Sequence, residues 1–110
     1  MEVEILEVVV SDLALESLQK VYEYGVETFS LNAVNIFIDE LTEHIERLSF
    51  NYLIHPECRF LATKSKMYRN IIHGSYLVIY RITEMQIEVL NVLHSSRSIF
   101  AIKSSRRIKI

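Results

Sequence analysis

The chain has 110 residues, of which half are hydrophobic, with one cysteine and a formal net charge of −2. This is the size of a single domain, residues 1–110, that can bury a core without a disulfide or a metal. The lone Cys58 excludes an internal disulfide, and we interpret it as a buried structural thiol in a reducing compartment. No apolar run reaches the roughly 20 residues of a membrane span, and Met1–Glu4 lacks the basic region of a secretory signal. We therefore expect a cytoplasmic protein with no membrane partner.

The charges are divided unevenly along the chain. Residues 1–55 carry two cations against eleven acids, whereas residues 56–110 carry ten cations against three acids. The last segment, residues 98–110, reads as a basic tail. This division favours a basic surface that attracts an anionic partner, unless the charges of the two halves pair with each other in the fold.

The first half predicts one strand and two helices. The β-branched run Val3–Val10 predicts a well-buried strand because its apolar residues hardly alternate with polar ones. Ser11 is a good N-cap, and the apolar residues of the segment 13–28 recur on one helical face. Ser30 caps a second helix, and so short a connection predicts an antiparallel hairpin. The apolar stripe of the second helix consists of Ala33, Phe37, Leu41, Ile45 and Leu48.

The second half predicts an antiparallel meander of three strands. They are Tyr68–Ile72, Tyr76–Ile82 and Gln86–His94, rich in branched and aromatic residues. Gly74 supplies the positive φ that a tight hairpin turn needs. Residues 51–66 lose periodicity and predict a long loop. The order is β-α-α-β-β-β with a basic C-terminal tail, and a helix hairpin on one face of a mostly antiparallel sheet is an α+β fold.

Four side chains in this half are candidates for contacting a target: Arg69, Arg81, His94 and Arg97. Arg69 suits either a phosphate or partner contact, or an ion pair with a helix carboxylate. The position of Arg81 favours a side chain that lies at a solvated edge of the sheet or pairs with Glu88, over one that contacts a target. His94 ends the last strand, where an imidazole can bond to a partner, move a proton or fix the turn.

Nothing in the sequence indicates a metal or a cofactor. The histidines show no ligand spacing such as His-x-x-x-His, and the single cysteine adds little, so we expect no metal site. Gly25 and Gly74 lie too far apart for a phosphate-binding loop. No spacing points to a Ser-His-Asp triad. We expect no cofactor.

Several short motifs together resemble a known family. They are Tyr22-Glu23-Tyr24 with Ala33, His55-Pro56, Tyr68-Arg69, Gly74-Ser75-Tyr76, Val78-Ile79-Tyr80, and Val92-Leu93-His94 with Arg97. Their order and spacing, from Val3 to about Arg97, are similar to those of the RelE/ParE superfamily of toxins from bacterial type II toxin–antitoxin modules. The resemblance implies a small cytosolic toxin, neutralised by a cognate antitoxin, with a role in plasmid stabilisation.

The superfamily has two branches that this chain can be compared with. RelE-type members cleave messenger RNA on the ribosome and commonly place a catalytic arginine after the tyrosine that opens the middle meander strand. Here Leu77 follows Tyr76. They also tend to carry a tyrosine or histidine near the C-terminus, where this chain has Phe100-Ala101. ParE-type members poison DNA gyrase, and their last strand typically ends in a turn similar to His94-Ser95-Ser96-Arg97.

The resemblance therefore favours a ParE-like toxin that inhibits growth by binding its target, DNA gyrase, rather than by catalysis. One alternative is a RelE-like endoribonuclease, whose partners would be the ribosome and its mRNA. The other is a toxin-like domain that has lost activity and only binds an antitoxin. We expect the antitoxin segment to be acidic as well as apolar, with Lys103, Arg106 and Arg107 as candidate contacts.

Overall fold

The computed structural model describes residues 3–110. They fold into a four-stranded mixed sheet with helices on both faces. In chain order the elements are β1 (Glu7–Val10), α1 (Asp12–Thr28), α2 (Leu31–Glu46), α3 (Leu48–Asn51), β2 (Tyr68–His73), β3 (Tyr76–Ile82), β4 (Gln86–His94), α4 (Ile99–Ser104) and a 3-10 turn (Ser105–Arg107). The predicted β-α-α-β-β-β order and the α+β class are confirmed. The short helices α3 and α4 were not predicted.

The strand order across the sheet is β1-β4-β3-β2. β1 runs parallel to β4, and the other neighbours are antiparallel. The predicted first strand was too long and too deeply buried, because β1 begins at Glu7 and its three valines are only half-buried. As an edge strand, β1 has a neighbour on one side alone, which leaves part of it uncovered.

The helix hairpin forms where the caps predict it. The Oγ atoms of Ser11 and Ser30 accept the N–H groups of Ala14 and Ala33 at 3.0 and 3.1 Å. Gly25, on α1, faces α2 so closely that an added Cβ would overlap the side chain of Val34. The missing side chain therefore sets how near the two helices come.

Each face of the sheet carries its own apolar core. The helix hairpin covers one face with Leu41 and Ile45 of the predicted stripe, both buried, and with Phe37, which is half-buried. Leu48, predicted on the second helix, is buried in the same core but belongs to α3, because α2 ends at Glu46. Ala33, also predicted in that stripe, is exposed. A second cluster on the opposite face joins the loop before β2 to the C-terminal segment: Cys58, Leu61, Ile79, Leu90, Leu93 and Ile102. The basic tail is therefore a packed layer rather than a free extension.

A β-bulge in β4 keeps both faces apolar. Val89 lies opposite Tyr80 and Asn91 opposite Ile79, so Leu90 is the extra residue. The bulge allows Val89 and Val92, three positions apart, to join the core under the helices while Leu90 joins the other one. Within residues 3–110, no helix is both long and apolar enough to cross a membrane.

Candidate binding groove

An apolar groove of about 690 Å³ opens between the tip of the helix hairpin and the turn that joins β2 to β3. Its walls come from α1, α2, the β2–β3 turn and the ends of β3 and β4. The lining residues are Val21, Tyr24, Gly25, Phe29, Ala33, Val34, Phe37, Gly74, Ser75, Tyr76 and His94. The exposed Ala33 belongs to this wall, which explains why an apolar stripe extends beyond the core.

A row of three aromatic rings forms one side of the groove. The ring centroids of Phe37 and Tyr76 are 5.8 Å apart, and those of Tyr76 and His94 are 5.3 Å apart. Tyr76 and His94 are cross-strand partners, so the register of β3 on β4 places them together. Gly74, with φ of +58°, makes the predicted tight turn and passes close to the Phe37 ring.

His94 both fixes its turn and faces the groove. Its Nδ1 accepts the N–H of Ser96 at 3.1 Å and lies 2.7 Å from the Ser96 hydroxyl. A neutral ring that accepts at Nδ1 carries its hydrogen on Nε2. That second nitrogen is then available to donate a hydrogen bond to a partner at the end of the groove.

Two phenols, Tyr24 and Tyr76, add further polar groups to the groove. Burial raises the pKa of Tyr76 above its ordinary value, and the nearby Tyr24 adds to the rise. The Tyr76 hydroxyl therefore stays protonated and able to donate at neutral pH. Tyr24 and Phe29, at the rim, are 58% and 63% exposed. Such a surface suits the apolar side chains of a partner, with a few hydrogen-bonding groups to orient it.

Arg69 ties the long loop to β2. Its Nη1 donates to the carbonyls of Leu53 and His55 at 3.0 and 2.9 Å, and its Nε donates to that of Lys66 at 3.2 Å. The predicted alternative of an ion pair with a helix carboxylate is wrong, because backbone carbonyls are the acceptors. These bonds hold the guanidinium in place from three sides.

Arg81 forms the predicted pair with Glu88, at 2.7 Å. It also donates to the carbonyls of Arg106 and Ile108 at 3.4 and 3.2 Å, which fastens the C-terminal turn to the sheet. Burial acts to raise the pKa of Glu88, but the hydrogen bond from Gln86 and the Arg81 guanidinium outweigh it and hold that pKa below its ordinary value.

The exposed candidates are separated into two regions. Arg97 donates its backbone N–H to the carbonyl of His94 at 2.9 Å and so lies beside the groove. Lys103, Arg106 and Arg107 are exposed on the C-terminal layer, across the sheet from the groove. The structure therefore brings Arg97 near His94 and leaves the three tail cations on a different surface.

A histidine cluster was missed by sequence reasoning. Nδ1 of His44 on α2 and Nδ1 of His73 at the end of β2 are 3.0 Å apart, and the His55 ring stands edge-on to His44. Burial lowers the pKa of both His55 and His73, and the charge of His44 lowers them further. No local spacing signals this cluster. Among residues 3–110, no group of three or more His, Cys, Asp or Glu is placed to hold a metal ion.

Cys58 is the structural thiol that its isolation predicts. It is 2% exposed within the second core. Burial raises the pKa of its thiol to about 11, with a further contribution from Glu57. The thiol is therefore protonated and a poor nucleophile at neutral pH.

Comparisons with known proteins concern the family and the fold of this chain. The family model described as "ParE toxin of type II toxin-antitoxin system, parDE" matches residues 8–99. A solved structure, the "Chromosomal ParDE TA system from P. aeruginosa", is similar with a TM-score of 0.69 and 12% identity, over 84% of this chain and 98% of that chain. No curated protein matches the chain. At 12% identity the structural likeness concerns the fold, whereas the family match spans most of the sequence. The chain belongs to the family of ParE toxins of type II toxin–antitoxin systems.

Proposed function

We propose that this chain inhibits bacterial growth by binding DNA gyrase in the cytosol, and that a cognate antitoxin neutralises it. Membership of the ParE toxin family supports the toxin role and the antitoxin partner. Gyrase is the target that the ParE branch of the superfamily implies. The proposed mode of action is binding, without a chemical step of its own.

The observation that favours binding over RNA cleavage is that internal contacts hold the arginines of the sheet away from the groove. Cleavage needs preorganised positive charge at the scissile phosphate, and loss of one such group costs ~10²–10³ in rate. Leu77 occupies the position after Tyr76, and its side chain packs in the second core. Arg69 and Arg81 are engaged by internal acceptors. Neither guanidinium lines the groove.

The surface proposed for gyrase is the exposed end of β4 with the turn that follows it. His94 presents a ring nitrogen there, and Arg97 adds an exposed cation close by. Both were candidates on sequence grounds. An imidazole donor beside a guanidinium suits a carboxylate or carbonyl acceptor on a protein partner.

We propose that the apolar groove is the binding site for an amphipathic segment of the antitoxin. Interfaces draw most of their affinity from a few apolar or aromatic anchors in desolvated pockets, and the wall between Phe29 and Phe37 offers such a pocket. Contact of the antitoxin with Lys103, Arg106 and Arg107 remains a prediction. An antitoxin that reached them as well would have to cross an edge of the sheet.

The experiment that tests this function is a supercoiling assay with purified gyrase and relaxed plasmid. We expect the chain to inhibit supercoiling, with weaker inhibition by His94→Ala and Arg97→Ala. Lys20→Ala, an exposed cation on α1, is the matched control and should inhibit like the wild type. Full supercoiling in excess toxin would remove gyrase as the target, and induction of the chain in bacteria would then show whether translation stops instead.

A further inference from the structure

We propose that the face of the protein opposite the groove binds nucleic acid, through contacts between its cations and the phosphodiester backbone. We call this surface the basic face and define it by Arg59, Lys103, Arg106, Arg107 and Lys109. This property goes beyond the proposed function, because a toxin that binds gyrase as a protein need not touch DNA. It can also hold if gyrase is not the target.

The basic face concentrates charge that the rest of the fold does not neutralise. Segments 57–67 and 98–110 together contain seven cations and one acid, Glu57. All five side chains of the basic face are exposed. The side-chain ion pairs among residues 3–110 involve Lys20, Arg47 and Arg81, and therefore none of these five. An unpaired basic surface is what the electrostatic part of nucleic-acid binding requires.

Tertiary packing brings the two distant segments into one layer. Cys58 and Leu61 on one segment and Ile102 on the other are buried in the same core cluster beneath the sheet. Arg81 reinforces the junction, since it donates to the carbonyl of Arg106 and its Nη1 lies 3.5 Å from the Tyr68 hydroxyl. The backbone carbonyl of Tyr68 in turn accepts the N–H of Cys58 at 2.8 Å. Arg59 and the C-terminal cations thus belong to one surface.

Two exposed phenylalanines lie among these cations. Phe100 is 76% exposed and stands three residues before Lys103, on the side of α4 away from the buried Ile102. Phe60 is 40% exposed, with the Arg59 guanidinium 5.4 Å from its ring centroid. Exposed aromatic rings beside cations form the stacking surface on which proteins hold unpaired bases.

The backbone of the same region is held in an unfavourable conformation. Phe60 and Lys66 have φ of +72° and +54°, and they are the non-glycine residues with positive φ among residues 3–110. Bulky side chains avoid this region, so a fold retains it where the surroundings enforce it, often at binding segments. At Phe60 this backbone presents an aromatic ring beside Arg59.

The competing occupant of the basic face is an acidic polypeptide, such as an antitoxin segment. Nucleic acid fits better for two reasons. The apolar groove that would anchor an amphipathic peptide lies across the sheet. In addition, the exposed rings of Phe60 and Phe100 lie beside these cations, and bases supply the matching flat surfaces.

The test is fluorescence anisotropy of the purified full chain with labelled duplex DNA, single-stranded DNA and RNA of about 20 nucleotides, longer than the ~4–16 that small binding domains cover. Affinity should fall linearly on logarithmic axes as salt rises. Arg106→Gln with Arg107→Gln should reduce the magnitude of the duplex salt slope by about 2, or roughly 0.9 for each lost contact. The matched control, Lys20→Gln with Arg47→Gln on the helix layer, should leave the slope unchanged.

A second pair of variants tests stacking. Phe100→Ala should weaken binding to single-stranded DNA by roughly 5- to 100-fold, with much less effect on duplex DNA. Phe29→Ala removes another exposed phenylalanine, at the groove, and should leave both nucleic-acid affinities unchanged. All these side chains are exposed, so thermal melts should confirm that each variant is folded.

Three results would overturn the proposal. One is the absence of measurable binding to any of the three nucleic acids at about 50 mM salt, where phosphate contacts are strong. Another is a salt slope that the glutamine pair on the basic face does not change. The third is competition by poly-glutamate as effective, per charge, as that by DNA, because the face would then recognise acidic polypeptides.

Discussion

The Nδ1 atoms of His44 and His73 lie 3.0 Å apart and share a hydrogen bond between α2 and β2. One ring must donate and the other accept, so the bond requires that at least one ring be neutral. His55, on the loop before β2, lies edge-on to His44, and its Nε2 is buried without a hydrogen-bond partner. Three elements distant in sequence thus meet at these three histidine rings.

This cluster predicts that the protein loses stability in mild acid. Burial, then His44, lowers the pKa of His55 and His73 below the ordinary 6.5, although Glu40 opposes the shift at His73. The unfolded chain therefore takes up protons at a higher pH than the folded chain does. The free energy of unfolding should therefore be greatest above pH 6.5 and should fall as the pH drops below that value.

Urea melts at a series of pH values between 7.5 and 5 measure this loss. His55→Gln with His73→Gln should flatten the curve in that range, while His94→Gln, at the exposed end of β4, should keep the wild-type slope. Equal stability of the wild type at both ends of the range would contradict the prediction, and a wild-type slope in His55→Gln with His73→Gln would show that the histidine cluster does not cause the loss.

Gly25→Ala should destabilise the fold by about 1–3 kcal/mol, as overpacking of a core does. A methyl at this position would overlap the side chain of Val34, which is buried on the facing helix. Denaturant melts of both single variants and of Gly25→Ala with Val34→Ala complete a double-mutant cycle. The second substitution should recover part of the loss, whereas strictly additive losses would mean that the two positions do not collide.

Phe37→Ala should cost about 2–3 kcal/mol, less than the 3–5 kcal/mol of a fully buried phenylalanine, because Phe37 is half-buried. It should also weaken antitoxin binding, since the ring belongs to the groove wall and packs on Tyr76. Leu41→Ala is the control, because Leu41 is fully buried outside the groove and should affect stability alone. Calorimetric titration of folded variants with the antitoxin separates the two effects.

The purified chain should not cut messenger RNA on the ribosome, because no sheet arginine is free at the groove. His94→Ala and Arg97→Ala should relieve growth inhibition, whereas ribosome-bound transcripts should remain intact with the wild type and both variants. Primer extension on those transcripts is the measurement. Cleavage products from the wild type that disappear in Arg97→Ala would reverse the assignment in favour of a nuclease.

Much of the framework could be predicted because the signals are local. Ser11 and Ser30 cap the helices as expected, since a cap depends on the next three residues. Strands β3 and β4 have the predicted boundaries, as turn residues and β-rich runs lie next to each other in the chain. The pair of Arg81 with Glu88 followed from the same short-range pattern.

The tertiary structure decided what depends on contacts between distant residues. Residues 98–110 read as a tail, yet they close a second core because Ile102 meets the loop around Cys58 beneath the sheet. Local sequence spacing does not predict the carbonyls that bind Arg69, and it does not predict the contact of His44 with His73. Hydrophobic periodicity records which side of an element is apolar, and only the packed fold determines which other element covers it.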